Sequence, residues 1–233
     1  AMTANTTGGR NTAMGYGALE TYNATDSGVD YNTAIGYSAL NSLTTGEINT
    51  AVGGLSMEAN TTGGNNTAVG YQSLYSNTTA SSNTAIGFQT CLNTTTGASN
   101  TAVGNAALQQ HTTSNNNTGI GAVALGAVTT GGENTALGHN ALSTLTTSSN
   151  STAIGQSAGT SATGSYNTFV GARSATTQSS GNQNTYVGEA AGYYMTTGAE
   201  NTLIGRFDGN SGGLDIRTAS NHIVLSDGGG NPR

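Results

Sequence analysis

The sequence predicts an all-β fold, a parallel β-solenoid (β-roll or β-helix) of twelve 17-residue coils, and three observations lead there. The first is periodicity. The motif Asn-Thr-Ala-(Val/Ile)-Gly recurs from Asn11, Asn32, Asn49, Asn66, Asn83, Asn100, Asn117, Asn134, Ser151, Asn167, Asn184 and Asn201, at intervals of 21, seven of 17, one of 16 and two of 17. The second is the unit itself: 17 residues are too few for a helix pair, and a Gly in every unit, together with β-branched residues one and three positions before it, disfavours helix. The third is composition. With 7% charged residues, 36 Gly, one Pro and no Trp, the chain lacks the charge of a disordered segment. Uncharged polar side chains of this kind fold when a regular ladder stacks them on copies of themselves.

With the Asn taken as offset 0, offset 3 is apolar in every unit: Met14, Ile35, Val52, Val69, Ile86, Val103, Ile120, Leu137, Ile154, Val170, Val187 and Ile204. This column reads as the core stripe. Thr at offset 1 shares its face by strand alternation, and Ala at offset 2 points the opposite way, outward against a closely packed neighbour. Offset 8 is Leu, Met or Cys in the first eight units and Gly159, Ala175, Gly192 and Gly209 in the last four, while offset 2 grows to Phe169, Tyr186 and Leu203. Such volume compensation places both columns in one packing compartment. The ninth unit, with Ala153 and Gly159 both small, predicts a thin spot or bend.

The structural repeat is marked by two further columns. Gly36, Gly53, Gly70, Gly87, Gly104 and Gly138 stand at offset 4, where the backbone takes a positive φ or another chain approaches closely. Asn32, Asn49, Asn66, Asn83, Asn100 and Asn134 stand at offset 0 and predict an amide ladder at a corner. One narrow coil buries little apolar surface, so outward-facing small residues predict copies packed side by side, as a homotrimeric fibre. The expected organisation is a lead-in over 1–10, with Ala1-Met2 an expression remnant, the solenoid over 11–205, and a β cap or connector over 206–233. In the last segment Leu214, Ile216 and Thr218 alternate before Ile223-Val224-Leu225, as in a hairpin-like cap.

The net charge of −6 is spread thinly with no basic run, which argues against nucleic acid. No apolar stretch reaches membrane-spanning length, and the single Cys91, read as a buried small apolar residue at offset 8, excludes an intrachain disulfide framework. The three His are far apart and the eleven carboxylates scattered, so no catalytic set, metal site or cofactor is expected. Glu133 and Glu200 share offset 16 but lie four coils, roughly 19 Å, apart. Asp208 to Asp215 offers oxygen ligands without a full calcium-loop pattern and reads as a turn. Glu189 and Arg206, in successive coils, are expected to pair. Tyr16, Tyr37, Tyr71 and Phe88 form an aromatic column at offset 5, either a self-stacking ladder or candidate glycan contacts.

The units Asn32-Thr-Ala-Ile-Gly-Tyr-Ser-Ala-Leu40 and Asn66-Thr-Ala-Val-Gly-Tyr-Gln-Ser-Leu74 resemble the head repeats of trimeric autotransporter adhesins. That resemblance implies a parallel β-roll assembled as a trimer. The stretch from Gly213 to Arg233 is similar to the segment preceding the endosialidase-type intramolecular chaperone in phage tail fibres, the chaperone itself being absent from this sequence. The two resemblances imply a structural fibre for host-surface attachment, on a virion tail or a cell surface, whose partners are its own copies and a host glycan or protein receptor. Two alternatives are an ice-binding solenoid, from its Thr ranks, and a glycan-cleaving tailspike.

Overall fold

The computed structural model describes residues 2, 9–23 and 30–233, so only Met2, Gly9 and Arg10 of the expected lead-in are placed. The fold is an all-β parallel solenoid of twelve turns of about 17 residues. The chain divides into two compact units, 1–117 and 118–233. The first contains β1 (Thr12–Met14), β2 (Thr33–Ile35), β3 (Thr50–Val52), β4 (Thr67–Val69), β5 (Thr84–Ile86) and β6 (Thr101–Val103). The second contains β7 (Thr118–Ile120), β8 (Thr135–Leu137), β9 (Thr152–Ile154), β10 (Thr168–Val170), β11 (Thr185–Val187) and β12 (Thr202–Ile204), followed by three C-terminal strands. Within each unit successive strands pair in parallel with zero offset, Thr on Thr. A constant period produces this register, because each turn returns the same residue to the same place.

The 16-residue turn keeps that register, since Thr152 still pairs with Thr168. The missing residue comes from a corner. In most other turns a Thr pair fills offsets 12 and 13, as Thr44 and Thr45, whose N–H groups both reach Thr61 O, whereas in the short turn Thr163 alone bonds Ser179 O.

The orientation of the three-residue strands differs from the sequence expectation. Offset 2 is the inward position: Ala34, Ala51, Ala68, Ala85 and Ala102 have no exposed surface, nor do Phe169, Tyr186 and Leu203. Offset 3, expected as the core stripe, faces outward instead, with Met14 62% and Leu137 45% exposed. The alternation is right and its phase reversed. The reason is width: the interior is already filled from the opposite wall by the buried column Leu40, Met57, Leu74, Cys91 and Leu108, which leaves room on the strand only for Ala. The Ala column therefore packs inside its own coil and does not face a partner chain.

The compensating columns meet directly. A Cβ on Gly159 would lie 2.8 Å from Phe169 Cδ2 and 2.9 Å from Leu142 Cδ2, and one on Gly192 would lie 2.5 Å from Tyr186 Cδ2. Phe169, from the next turn, occupies the volume that Leu fills elsewhere, so the expected thin spot at Ala153 and Gly159 is packed. Inside this stretch Phe169 and Tyr186 lie 5.4 Å apart, and Tyr186 Oη donates to Gln178 Oε1 at 3.2 Å.

A third inward column at offset 11 is not evident from residue type. Tyr22, Leu43, Asn60, Asn77, Thr94 and His111 in the first unit, and Val128, Leu145, Ala162, Gln178 and Met195 in the second, are all fully buried. The polar members pair among themselves and with backbone: Asn77 Nδ2 donates to Asn60 Oδ1 at 3.0 Å, and Thr94 Oγ1 meets His111 Nδ1 at 2.8 Å. The signal was spacing rather than chemistry, since Tyr22, Leu43, Val128, Leu145 and Met195 keep the phase.

Corners are tight because the backbone enters the left-handed region repeatedly, at Ser38 (φ 51), Leu40 (φ 50) and Ile48 (φ 58) and at the equivalent sites of other turns. Non-glycine residues there cost roughly 1–2 kcal/mol each. Bonds to adjacent rungs offset this, as in Ser38 N to Tyr16 O at 2.8 Å and Leu40 N to Ser56 O at 3.0 Å. At offset 4 both expected reasons for Gly apply together. Gly53 has φ +133, and its added Cβ would collide with the carbonyl of Gly70. The approaching chain is the next turn of the same molecule.

The C-terminal segment holds a thirteenth rung. β13 (Asn210–Ser211) and β14 (Leu214–Asp215) form an antiparallel hairpin, after which β15 (Ile223–Leu225) pairs in parallel with β12. His222 stands where Asn stands elsewhere, its N–H donating to Asn201 Oδ1 at 3.0 Å. The interval from Asn201 to His222 is 21 residues, like the first interval, and the hairpin accommodates the excess.

Candidate functional site

The strand alternation sends the side chains at offsets 1, 3 and 5 to the outer face. In the first unit this places Thr12, Thr33, Thr50, Thr67, Thr84 and Thr101 beside the aliphatic column from Met14 to Val103. The second unit repeats it from Thr118 to Thr202 beside Ile120 to Ile204. The chain itself leaves Ile86, Ile120, Leu137, Ile154 and Ile204 exposed and Ile35, Val52, Val69, Val103, Val170 and Val187 half-buried. An apolar rank at successive rungs of about 4.8 Å is a continuous patch, unlike scattered surface leucines.

Next to it runs the aromatic column. Tyr16 and Tyr37 stack with centroids 5.7 Å apart and planes 10° apart; Tyr71 and Phe88 do so at 5.8 Å and 17°. All four rings are exposed. The structure thus brings the four candidate glycan contacts together as two pairs, with Gly54 at the intervening position.

The Asn column is a buried ladder. Each Asn Oδ1 accepts the N–H of the Asn one turn later, as Asn32 from Asn49 at 2.9 Å, Asn66 from Asn83 at 2.9 Å and Asn83 from Asn100 at 2.9 Å. Each Nδ2 also closes its own turn, as Asn49 Nδ2 on Gly63 O at 2.9 Å. In the second unit Asn134 Oδ1 accepts from Ser151 N at 3.0 Å, and Ser151 Oγ then accepts from Asn167 N at 3.3 Å. Buried and bonded from turn to turn, this column holds coils together and is withdrawn from ligands.

No protein family model, curated protein or solved structure matches this chain. Its chemistry is therefore read from geometry alone.

Among the described residues, no three or more His, Cys, Asp or Glu cluster to hold a metal ion. His111 lies inside the first unit, its Nε2 bonded to Ser114 O at 2.6 Å, and burial pushes its pKa down. Burial likewise raises the Cys91 thiol to about 12. Asp208 accepts from Asn210 N and Ser211 Oγ, while Asp215 pairs with Arg217 at 2.8 Å, so the two carboxylates serve the hairpin turn separately. Glu189 bonds Arg206 at 2.6 Å and also Arg173 at 2.7 Å, and the hydrogen bonds from Arg173 and then Arg206 hold its carboxyl below the usual range. These side chains are about half exposed, so solvent screening leaves the ion pairs weak. Beside them Tyr193, Tyr194, Asp208 and Ser211 border a shallow cleft of about 320 Å³.

The Thr rank at offset 12 is occupied. Thr44, Thr61, Thr78 and Thr95 donate their hydroxyls to the carbonyls of Thr61, Thr78, Thr95 and Thr112 at 3.0–3.2 Å. The hydrogen of each of these hydroxyls is thus used within the chain, from one turn to the next.

Proposed function

We propose that this chain is a structural segment of an attachment fibre on a virion or cell surface, assembled from three copies through the outer strand face. The observation that carries this reading is the outward-facing aliphatic column at offset 3, exposed or half-exposed on every rung of both units. An apolar rank of this regularity is suited to an identical rank on another copy, because equal rung spacing lets each side chain meet its counterpart. The threefold stoichiometry follows the resemblance to adhesin heads and phage fibres. The exposed Tyr16, Tyr37, Tyr71 and Phe88 supply flat apolar faces of the kind that stack on sugar rings, so a cell-surface glycan is the proposed receptor. Three copies multiply weak contacts.

Sedimentation equilibrium tests the assembly. A species of about 69 kDa, three times the 23.1 kDa chain, is expected, reduced towards the monomer by Val69→Asp with Val103→Asp. A monomer at all concentrations would overturn the reading. Binding to a glycan array tests the receptor class.

A further inference from the structure

We infer that Tyr37 and Tyr71 are the two walls of a slot that takes one pyranose ring of a glycan, at the position where the aromatic column lacks a side chain. The inference deepens the glycan-attachment reading above and rests on it. Three rungs define the slot: Leu55 N donates to Tyr37 O at 2.8 Å and Gln72 N to Gly54 O at 3.0 Å, so residues 37, 54 and 71 follow one another directly along the sheet. The neighbouring Gly53 is glycine by necessity, with its positive φ and a Cβ that would strike the next turn's backbone. Gly54 has no such reason. Its φ lies outside the left-handed region, and an added Cβ would meet nothing nearer than Tyr71 Cδ2 at 3.4 Å and Cε2 at 3.8 Å, which is ordinary contact. What glycine achieves at this position is the omission of one ring from the column, with the edge of the Tyr71 ring bordering the place it leaves.

The size of that space follows from the intact pairs. Tyr16 on Tyr37 and Tyr71 on Phe88 stack at 5.7 and 5.8 Å with nearly parallel planes, which is the step of this column. Two rungs separate Tyr37 from Tyr71, roughly 10 Å at the strand spacing. A six-membered ring seated midway lies about 5 Å from each wall, somewhat closer than Tyr16 lies to Tyr37. Both walls are exposed, Tyr37 at 59% and Tyr71 at 48%, so entry is from the side.

A polar group beside the slot favours a sugar over an aromatic side chain. Gln109 Nε2 donates to Gln89 Oε1 at 3.2 Å and Gln89 Nε2 to Gln72 Oε1 at 2.9 Å. This run of amides ends at Gln72, next to Tyr71, because the following rung carries Leu55 at the equivalent position. Leu55 has no acceptor, so the Gln72 Nε2 hydrogens are left for a hydroxyl. A pyranose supplies hydroxyls at its rim and C–H groups on both faces, matching an amide donor at one side and two rings above and below.

The test is saturation-transfer NMR on the full chain with a panel of methyl pyranosides, and with p-cresol as a mimic of an aromatic side chain. Transfer to the ring C–H protons of at least one pyranoside is expected. Gly54→Tyr, which completes the column, should abolish it without lowering the melting temperature, and Gly54→Ala should retain it. Tyr37→Ala and Tyr71→Ala, which each remove a wall, should weaken it by roughly three- to tenfold. No transfer to any pyranoside, transfer to p-cresol alone, or unchanged transfer with Gly54→Tyr overturns the slot. If transfer survives Gly54→Tyr but falls with Tyr16→Ala or Phe88→Ala, the slot fails while the aromatic column stands as a glycan surface. Loss of transfer in Gly54→Tyr with undiminished adhesion to cells leaves the slot in place and removes its role in attachment.

Discussion

Asn66 donates both its backbone N–H and its side-chain Nδ2 to the single Oδ1 of Asn49, each at 3.1 Å, and both residues are buried. The same Nδ2 reaches Ala80 O at 2.9 Å, and Asn66 Oδ1 accepts from Asn83 N at 2.9 Å. One side chain thus ties three turns together. Asn66→Ala would leave the Asn83 N–H buried without its partner, while the Ala80 carbonyl keeps its bond from Asn77 Nδ2 at 3.1 Å, and is expected to lower the unfolding free energy by about 1–3 kcal/mol. The exposed Asn105→Ala should change it by less than about 0.5 kcal/mol. Denaturant midpoints of the two variants measure the difference; equal midpoints would show that the ladder contributes nothing.

The contact of Gly159 with Phe169 predicts a rescue. Leu at position 159 restores the residue found at offset 8 in earlier turns, and its φ of 62 is close to that of Leu142 at 48, so the backbone accepts it. The side chain, however, would enter the volume of Phe169. Gly159→Leu alone should therefore destabilise by about 1–3 kcal/mol, whereas combining it with Phe169→Ala should recover most of the loss. A double-mutant cycle by thermal unfolding reads the coupling, and additive effects would show that the two columns do not share a compartment.

His111 predicts a pH dependence. Desolvation lowers its pKa below the ordinary 6.5, outweighing the opposing bond to Ser114. Below about pH 6.5 the unfolded chain therefore takes up a proton that the folded chain refuses, and stability falls as pH drops through that value. Above it, this contribution is constant. Denaturant midpoints between pH 8 and pH 5 should decline for the wild type and flatten in His111→Leu. An identical decline in the variant would assign the effect to other groups.

Cys91 predicts protection. With its thiol raised from 9.0 to about 12 and its side chain buried, the native protein holds little reactive thiolate at pH 8. Labelling with a disulfide reagent should be slow in buffer and complete within minutes in denaturant. Rapid stoichiometric labelling of the native chain would contradict an inward offset-8 column.

Much of this fold is legible in the repeat, because a solenoid is one-dimensional: the period alone sets the register of β3 on β4, and the recurrence of Asn49 and Asn66 at one offset marks their ladder. Gly53 could be identified as a special backbone site for the same reason. Other features were hidden by chemical heterogeneity. Asn60, Asn77, Thr94 and His111 look like surface residues, yet they line the interior, where their polar atoms find partners, Asn77 Oδ1 excepted. His222 belongs to the ladder although only its backbone N–H takes part, which no side-chain pattern reveals.

The aromatic column was legible as a column, since Tyr16, Tyr37, Tyr71 and Phe88 share an offset. Its division into two stacked pairs around Gly54 needed coordinates, because a missing side chain has meaning only when its neighbours' spacing is known.

From the sequence alone come the period, the strand positions, the corner ladder and the exchange of volume between Ala-Leu and Phe-Gly, all consequences of identical residues recurring at identical intervals. Which side of each strand faces in was decided only by the tertiary structure. Strand alternation separates Ala51 from Val52 but carries no sign, and size suggested that Val52 should be the buried one. In the folded coil, Met57 reaches across from the opposite wall and claims the interior, so that Ala51 is the residue that fits and Val52 is turned outward.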